Sequence, residues 1–571
     1  LFAMTFTWIA VSFWHAVIGF LLMLTRRDPY SLRVRPVAGP SVKSPAPHRT
    51  ALVMPIHNED PAAVHAALSA MAASLLASGK SEGFDLFVLS DTRDPGLLAA
   101  ERSHIAVLQR ELGARLPLHY RHRPENTGRK AGNLADFCRR WGGAYEFMLV
   151  LDADSRMDAD SMLHLVSRMQ ADTGLGLIQT IPVPAGQSSV FARIMQFASS
   201  LYSPMLATGQ AFWQGRSGNY WGHNALIRVS AFMTSCGLPR LPGKPPLGGE
   251  ILSHDFVEAA LLVRDGWAVE LDVAPLASHE EMPANLIDFL ARDRRWMQGN
   301  LQHLRLLNVP GLHPSSRLHF LFGACAYLSS LAWMGLIAMG VLTLIRQPQV
   351  AEIANAGLSS WNMTMLAVTG AVLFAPRLLG VLLVLLRSAQ DFGGRIRVAL
   401  SALAEAVVGV LLAPVMMVFH ARFALEIVAG SSAGWSSPPR GEREVSWSEA
   451  FRRTGFAAAI GLAWATLAAA LTPQYFWWMS PVWLGLLCSP ALAWVSGRTS
   501  IGRWLMKTGL FLSPHEVRPL SLLDDPGSRR WNLPAGVPVP PPQERPEQMP
   551  VQRLLENSGG RLRSRLRRLR A

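Results

Sequence analysis

Charge is what this sequence most lacks. Only 16 % of its 571 residues are Asp, Glu, Lys or Arg, where a soluble globular chain carries roughly a quarter. With half of the residues hydrophobic and a positive mean hydropathy, that shortfall argues against a purely soluble protein. Cysteine is scarce as well. The four present, Cys138, Cys236, Cys325 and Cys488, are too scattered for a disulfide framework or a CxxC site, and the His and Cys residues show no metal-ligand spacing, so zinc is not supported and reduced, mostly buried thiols are expected. Tyrosine is rare, at 7, whereas tryptophan reaches 18, a bias that suits membrane interfaces and stacking on sugar rings. No initiator Met precedes Leu1, and a fragment of a longer chain is expected.

The charges that are present are unbalanced, 54 Lys+Arg against 40 Asp+Glu, for a net +14. Basic residues gather on the cytoplasmic flanks of membrane spans, so the excess needs no nucleic acid, and no nucleic-acid partner is expected. Apolar runs of about 20 residues can cross a bilayer as helices. Met4 to Leu24, closed by Arg26 and Arg27, is too long for a signal-peptide core and has no small-residue cleavage site, which gives a transmembrane helix over 1–25. Phe320 to Ile345 and Met363 to Leu386 supply two more within 320–386. Phe456 to Leu471 and Phe476 to Val495, joined at Pro473, read as a transmembrane hairpin over 456–495.

Orientation follows from the arginines. Arg26, Arg27, Arg33 and Arg35 place the next region in the cytoplasm, the nearly uncharged loop 347–361 faces outward, and Arg387, Arg395 and Arg397 return the chain inside. The apolar stretch 399–430 is followed by Arg440, Arg443, Arg452 and Arg453. Both its ends then lie on one side, so an interfacial helix is expected, with an ordinary span as the alternative. The same topology puts Leu1 outside, and a cytoplasmic native N-terminus would require a further span upstream. Arg377, beside Pro376 within a span, is expensive in a bilayer unless it lines a polar channel, snorkels or pairs with a neighbouring helix. The tail 533–571, Pro-rich and then Arg-rich, has a composition that builds no core and reads as disordered and cytoplasmic.

Between the first and second spans, residues 49–307 alternate short apolar strands with amphipathic helices, the pattern of a mostly parallel α/β sheet covered on both faces. Ligands bind such sheets beyond the carboxyl ends of the strands, and polar motifs stand there. Pro55-Ile-His-Asn-Glu59 follows the first strand, Asp91 the second, and Asp152-Ala-Asp154 the most hydrophobic one, with Lys130-Ala-Gly-Asn133 between. Two carboxylates after a buried strand can share a divalent cation whose other ligands are diphosphate oxygens, and Lys130 can neutralise phosphate charge.

This series, continued by Ser253-His-Asp255 and Arg292-Asp-Arg-Arg-Trp296, resembles the processive glycosyltransferases of family 2, the group of the cellulose and hyaluronan synthases. Within it the chain is similar to the osmoregulated periplasmic glucan synthases of Gram-negative bacteria. The resemblance implies a multi-span α-helical membrane protein with a cytoplasmic GT-A-like domain. It implies that Pro55, Glu59, Asp91, Lys130, Asn133, Asp152, Arg292 and Arg295 bind the nucleotide sugar, that Asp154 holds Mg2+ or Mn2+, and that Asp255 is the general base. Trp296, with Trp221 and His223 of Asn219-Tyr-Trp-Gly-His-Asn224, would contact the acceptor sugar. Ser253 and His254 depart from the family's Thr-Glu-Asp, and Arg292 stands where the Gln of its Gln-x-x-Arg-Trp is usual. An N-cap of the following helix is the plain alternative role for Asp255.

The implied activity is inverting transfer from UDP-glucose onto a growing β-1,2-glucan at the bacterial inner membrane, coupled to export. The lipid bilayer and an acyl carrier protein are the further implied partners. Residues 431–444, with Trp435, occupy the place of a gating loop in related synthases. A synthase of another sugar or linkage, or a nucleotide-binding transporter, are the alternatives; a transporter gives no reason for Asp255 with Arg295 and Trp296.

Overall fold

A computed structural model describes residues 1–29, 49–347, 360–432 and 441–523. Arg33, Arg35, the outward loop from 348 to 359, Trp435 with 433–440, and the tail 533–571 lie outside the described residues.

The first helix, α1 (Phe2–Leu24), leads to an α/β unit. Its elements run β1 (Thr50–Ile56), α2 (Pro61–Ala77), β2 (Phe84–Ser90), α3 (Pro95–Leu112), β3 (Leu118–His122), α4 (Arg129–Trp141), β4 (Phe147–Val150), β5 (Arg156–Met157) and α5 (Ala159–Ala171). They continue through β6 (Leu175–Gln179), β7 (Val183–Pro184), α6 (Val190–Gln214), β8 (Ala225–Arg228), α7 (Val229–Ser235), α8 (His254–Arg264), β9 (Ala268–Leu271), β10 (Ser278–Glu280) and α9 (Leu286–His303). Helix starts obey local rules: Asp60, Asp94 and Asp158 each accept a backbone N–H at the N-cap of α2, α3 and α5, and proline follows the first two.

Seven strands form one sheet in the order β3-β2-β1-β4-β8-β6-β9, in which β8 alone is antiparallel to its neighbours. Alternation along β1 divides the core. Leu52, Met54 and Ile56 face Leu68, Met71, Ile105 and Leu165 of α2, α3 and α5, while Ala51 and Val53 face Leu134, Phe137 and Leu262 of α4 and α8. Burial on both faces explains the apolar runs of residues 86–89 in β2 and 147–150 in β4. Chain order reverses between β1 and β4, and a doubly wound sheet opens its ligand crevice beyond the carboxyl ends of strands at such a point.

Among the described residues five helices are long and apolar enough to cross a membrane: α1, then α10 (Pro314–Arg346), α11 (Ser360–Arg387), α12 (Arg395–Val428) and α13 (Trp447–Leu471). Residues 399–430, expected in the interface, thus belong to one helix that also has the length and composition of a span. The second arm of the expected hairpin differs. It is three short helices, α14 (Pro473–Trp478), α15 (Ser480–Leu487) and α16 (Ser489–Ser496), each with proline in its first turn. A proline there lacks the N–H that would have continued the preceding helix.

Two helices inside the polar region dock it on the apolar ones. Trp213 of α6 donates its indole N–H to His15 Nε2 of α1 at 2.7 Å, and Tyr202 of α6 donates to Glu405 of α12 at 3.0 Å. The Arg377 guanidinium lies 3.3 Å from the same Glu405, so it is paired between helices, as burial of a cation among them requires. Met297 and Leu301 of α9 pack with Tyr327 of α10 and Phe419 of α12. After α17 (Thr499–Lys507) and α18 (Pro514–Val517) the chain returns to the sheet domain, where Arg193 holds Glu516 at 2.6 Å and Leu522 enters the core.

Candidate active site

The ends of β1 and β2 are tied to each other. Asn58, in the left-handed region at φ 52°, accepts the backbone N–H groups of Arg93 and Asp94 at 2.9 and 3.2 Å and donates its own to Thr92 Oγ1 at 3.1 Å. Pro55 and Glu59 bracket this turn, both partly exposed. Asp91 is buried, and both of its oxygens accept from Arg123, at 2.7 Å each. Arg123 was not among the sequence candidates. It is the bidentate partner that makes a buried carboxylate tolerable here. Arg123→Met leaves that charge unpaired, and a stability loss of about 3 kcal/mol, measured as a lowered Tm of the detergent-solubilised protein, is the expected result. Asn133 is also turned inward. Its amide donates to Leu89 O at 2.9 Å and accepts from Arg121 at 2.6 Å, so it braces the end of β2.

Beyond β4, the Lys130 ammonium at the start of α4 reaches the Asp152 carboxylate and donates to Gly222 O at 2.8 Å. One cation thereby joins the Asp-Ala-Asp turn to the 219–224 loop. Gln179, at the end of β6, accepts Trp221 N–H at 2.8 Å and donates to His223 O at 3.0 Å, which presents Trp221 and His223 at the crevice. His223 Nε2 lies 3.4 Å from Glu280 of β10. Burial raises the Glu280 carboxyl above its usual range, with His223 pulling it down and Asp154 and Asp152 pushing it up. Glu280 is a site acid with no motif around it to reveal it.

Among the described residues no three His, Cys, Asp or Glu side chains form a ready-made metal site. The mutual repulsion of Asp152, Asp154 and Glu280 nevertheless fits a divalent cation completed by oxygens from a ligand.

Asp255 enters from the other side, in the first turn of α8. Ser253, not Asp255, is the N-cap, and its side chain makes no capping bond, so capping does not account for the acid. A Cβ on Gly222 would stand 3.3 Å from Asp255 Oδ2 at a backbone φ of +92°. Glycine is therefore needed both for the turn and for the approach of the loop to the acid. Burial pushes the Asp255 carboxyl up, against the opposing charge of His254.

Helix α9 completes the enclosure. Arg292 lies over the Trp296 ring at 4.5 Å and donates towards Met282 Sδ, while Trp296 itself is 50 % exposed. Arg295 shares this side of the helix one position before Trp296 and is partly exposed. Asp293 points the other way and accepts from Tyr327 of α10 at 3.1 Å. His303, which burial depresses to about 4 and which is therefore neutral, donates Nε2–H to Ser253 O at 2.8 Å. Helix α9 and the segment that leads into Asp255 are thus tied together through Ser253.

The chain matches the model described as Glycosyl transferase family 2 over residues 51–235 and that described as Glycosyl transferase family group 2 over 147–386. The chain belongs to glycosyltransferase family 2. Among similar curated proteins, the glucans biosynthesis glucosyltransferase H of Ralstonia nicotianae is 42 % identical over 530 residues, covering 91 % of this chain and 61 % of that protein. The protein of the same name from Pseudomonas paraeruginosa is 43 % identical over 527 residues, covering 90 % and 61 %. The chain thus spans about three fifths of the length of the curated relatives it matches. A solved mannosyltransferase from Pyrobaculum calidifontis, in complex with GDP-Man and Mn2+, aligns with 66 % of this chain and 98 % of its own at 15 % identity and a TM-score of 0.38. By its family models the chain bears a glycosyltransferase domain, and the crevice gathers acids from separate strand and helix ends.

Proposed function

We propose that this family 2 chain elongates a β-glucan, 1,2-linked, from UDP-glucose at the inner membrane, with the catalytic domain cytoplasmic and the product passed towards the periplasm. The observation that carries the proposal is the placement of Asp255 across Gly222 from the Lys130–Asp152 pair. A base thus faces a cation and paired acids across one narrow turn. On this assignment Asp91, held by Arg123, borders the uridine, and Pro55 and Glu59 line the same end. Lys130, Asp152, Arg292 and Arg295 meet ribose and diphosphate, and Trp296, Trp221 and His223 hold the acceptor sugar.

Asp255 takes the proton of the acceptor hydroxyl. The oxygen then forms its bond to the anomeric carbon as the bond to the diphosphate breaks, which inverts an α-linked donor into a β-glycoside. Lys130 and Arg295 stabilise charge on the departing diphosphate. Asp154 would hold the Mg2+ or Mn2+ that neutralises the same group when bound.

The charge pattern that sets α12 in the interface gains support from its neighbours. Towards its start, Ser401 accepts Phe511 N–H and Glu405 accepts from Tyr202, and towards its end Glu426 meets Arg294 of α9 at 2.9 Å. Polar groups near both ends thus face the catalytic domain side, while Ile396, Leu400, Leu403 and Val407 form an exposed apolar stripe.

Full-length protein supplied with radiolabelled UDP-glucose should release UDP and yield a product whose linkage analysis shows β-1,2 bonds. Chelation by EDTA should abolish the release, and added Mg2+ or Mn2+ should restore it. Use of GDP-mannose or UDP-N-acetylglucosamine in place of UDP-glucose would overturn the donor assignment, and another linkage would overturn the product.

A further inference from the structure

Asp255 follows a histidine where the family pattern has glutamate, yet a carboxylate has not left the neighbourhood. Glu258 lies one helical turn further along α8, and its Oε2 is 3.1 Å from His254 Nδ1. The Glu258 side chain is 1 % exposed and that of His254 12 %. An isolated carboxylate at such a place is costly unless a cation or a proton joins it.

The surrounding groups leave that task to His254. Lys130, from α4, is the nearby fixed cation, and it already reaches Asp152. Tyr220 of the 219–224 loop, Cys236 after α7 and Cys138 of α4 also face the cluster, and burial keeps all three in their neutral forms. Burial alone would depress the His254 imidazole, but the charge of Glu258 at 3.1 Å, and then that of Asp255, outweigh it and hold the imidazole above its usual value.

We propose that His254 and Glu258 act as a positioning pair for the base, Glu258 holding His254 as an imidazolium whose charge keeps Asp255 ionised. The pair has no net charge, so the base gains an adjacent cation while the core carries no excess. Substitution of glutamate by histidine beside the base is thereby matched by a carboxylate at the i+4 position, where helix geometry brings side chains together. This inference rests on the assignment of Asp255 as the base.

The test is the pH profile of kcat/KM for UDP release by the full chain in lipid nanodiscs. His254→Gln removes the imidazolium and leaves Glu258 to oppose ionisation of Asp255. Its acid limb should move up by about one pH unit. The double variant His254→Gln/Glu258→Gln removes both charges, and its limb should return to within about half a unit of wild type. An unmoved limb in His254→Gln, or a double variant displaced as far as the single, would sink the proposal. If His254→Gln does not accumulate as folded protein, the double variant decides alone: a limb near wild type supports the pair, and one raised by about a unit or more overturns it. Asp255→Asn in the same series separates the two levels. Retained activity there would refute the base itself, whereas an inactive Asp255→Asn beside an unmoved His254→Gln limb refutes the pair alone.

Discussion

Asp255→Asn is expected to lower the rate of UDP release from UDP-glucose by about three orders of magnitude while UDP binding stays near that of the wild type. Asparagine keeps the shape of the side chain and can still fill the space beside Gly222, but it cannot accept the proton of an acceptor hydroxyl. The residue lies across Gly222 from Lys130 and Asp152, which under the proposed assignment is the acceptor side, so its loss should spare the donor. In the wild type the same carboxyl is pushed up by burial, and activity should fall on the acid side as it becomes protonated, because only the ionised form is a base. The measurement is single-turnover UDP release together with UDP titration by calorimetry. Asparagine protein that turns over at more than about a tenth of the wild-type rate would exclude general-base chemistry at this position.

Gly299→Ala should be nearly as damaging, for a reason of space alone. A Cβ at residue 299 would stand 2.1 Å from Ser253 Oγ and 2.9 Å from both Ser253 Cβ and its backbone nitrogen. The backbone contact cannot be relieved by a rotamer change, so α9 and the 251–255 segment must separate. Trp296 rides on α9 and Asp255 follows Ser253 by two residues, and the displacement therefore falls on the distance between aromatic platform and base. Misplacement of about 1 Å between reacting groups costs about a hundredfold in rate. The expected outcome is protein that is expressed and binds UDP, with kcat reduced by about that factor. Wild-type kcat in Gly299→Ala would show that the contact between α9 and Ser253 does not set the geometry of transfer.

Much of the catalytic domain was legible in the sequence, because a strand buried on both faces must be apolar throughout and its ligand-facing acids must come at its end. Phe147 to Val150 followed by Asp152-Ala-Asp154 is such a case, and the sheet places that strand between β1 and β8. The membrane helices were legible for a similar reason, since bilayer thickness sets a length and hydrocarbon sets a composition. The run from Phe476 to Val495 shows the limit of that argument. Its side chains are apolar enough, but Pro481 and Pro490 remove backbone donors and divide it into short helices.

Other features depend on contacts between residues far apart in the chain. Arg123 beneath Asp91, Glu280 beside His223 and Gly299 against Ser253 are joined by 32, 57 and 46 positions of chain respectively, and none stands in a motif. Likewise α6, whose apolar face looks like that of any core helix, turns out to hold α1 through Trp213 and His15. By itself the sequence determined the class of the protein, through periodicity, span length and the order of acids after strands. The tertiary structure alone decided which charges are paired, which glycine must stay bare and how α9 packs on the segment that carries Asp255, because burial and close packing are properties of neighbours in space.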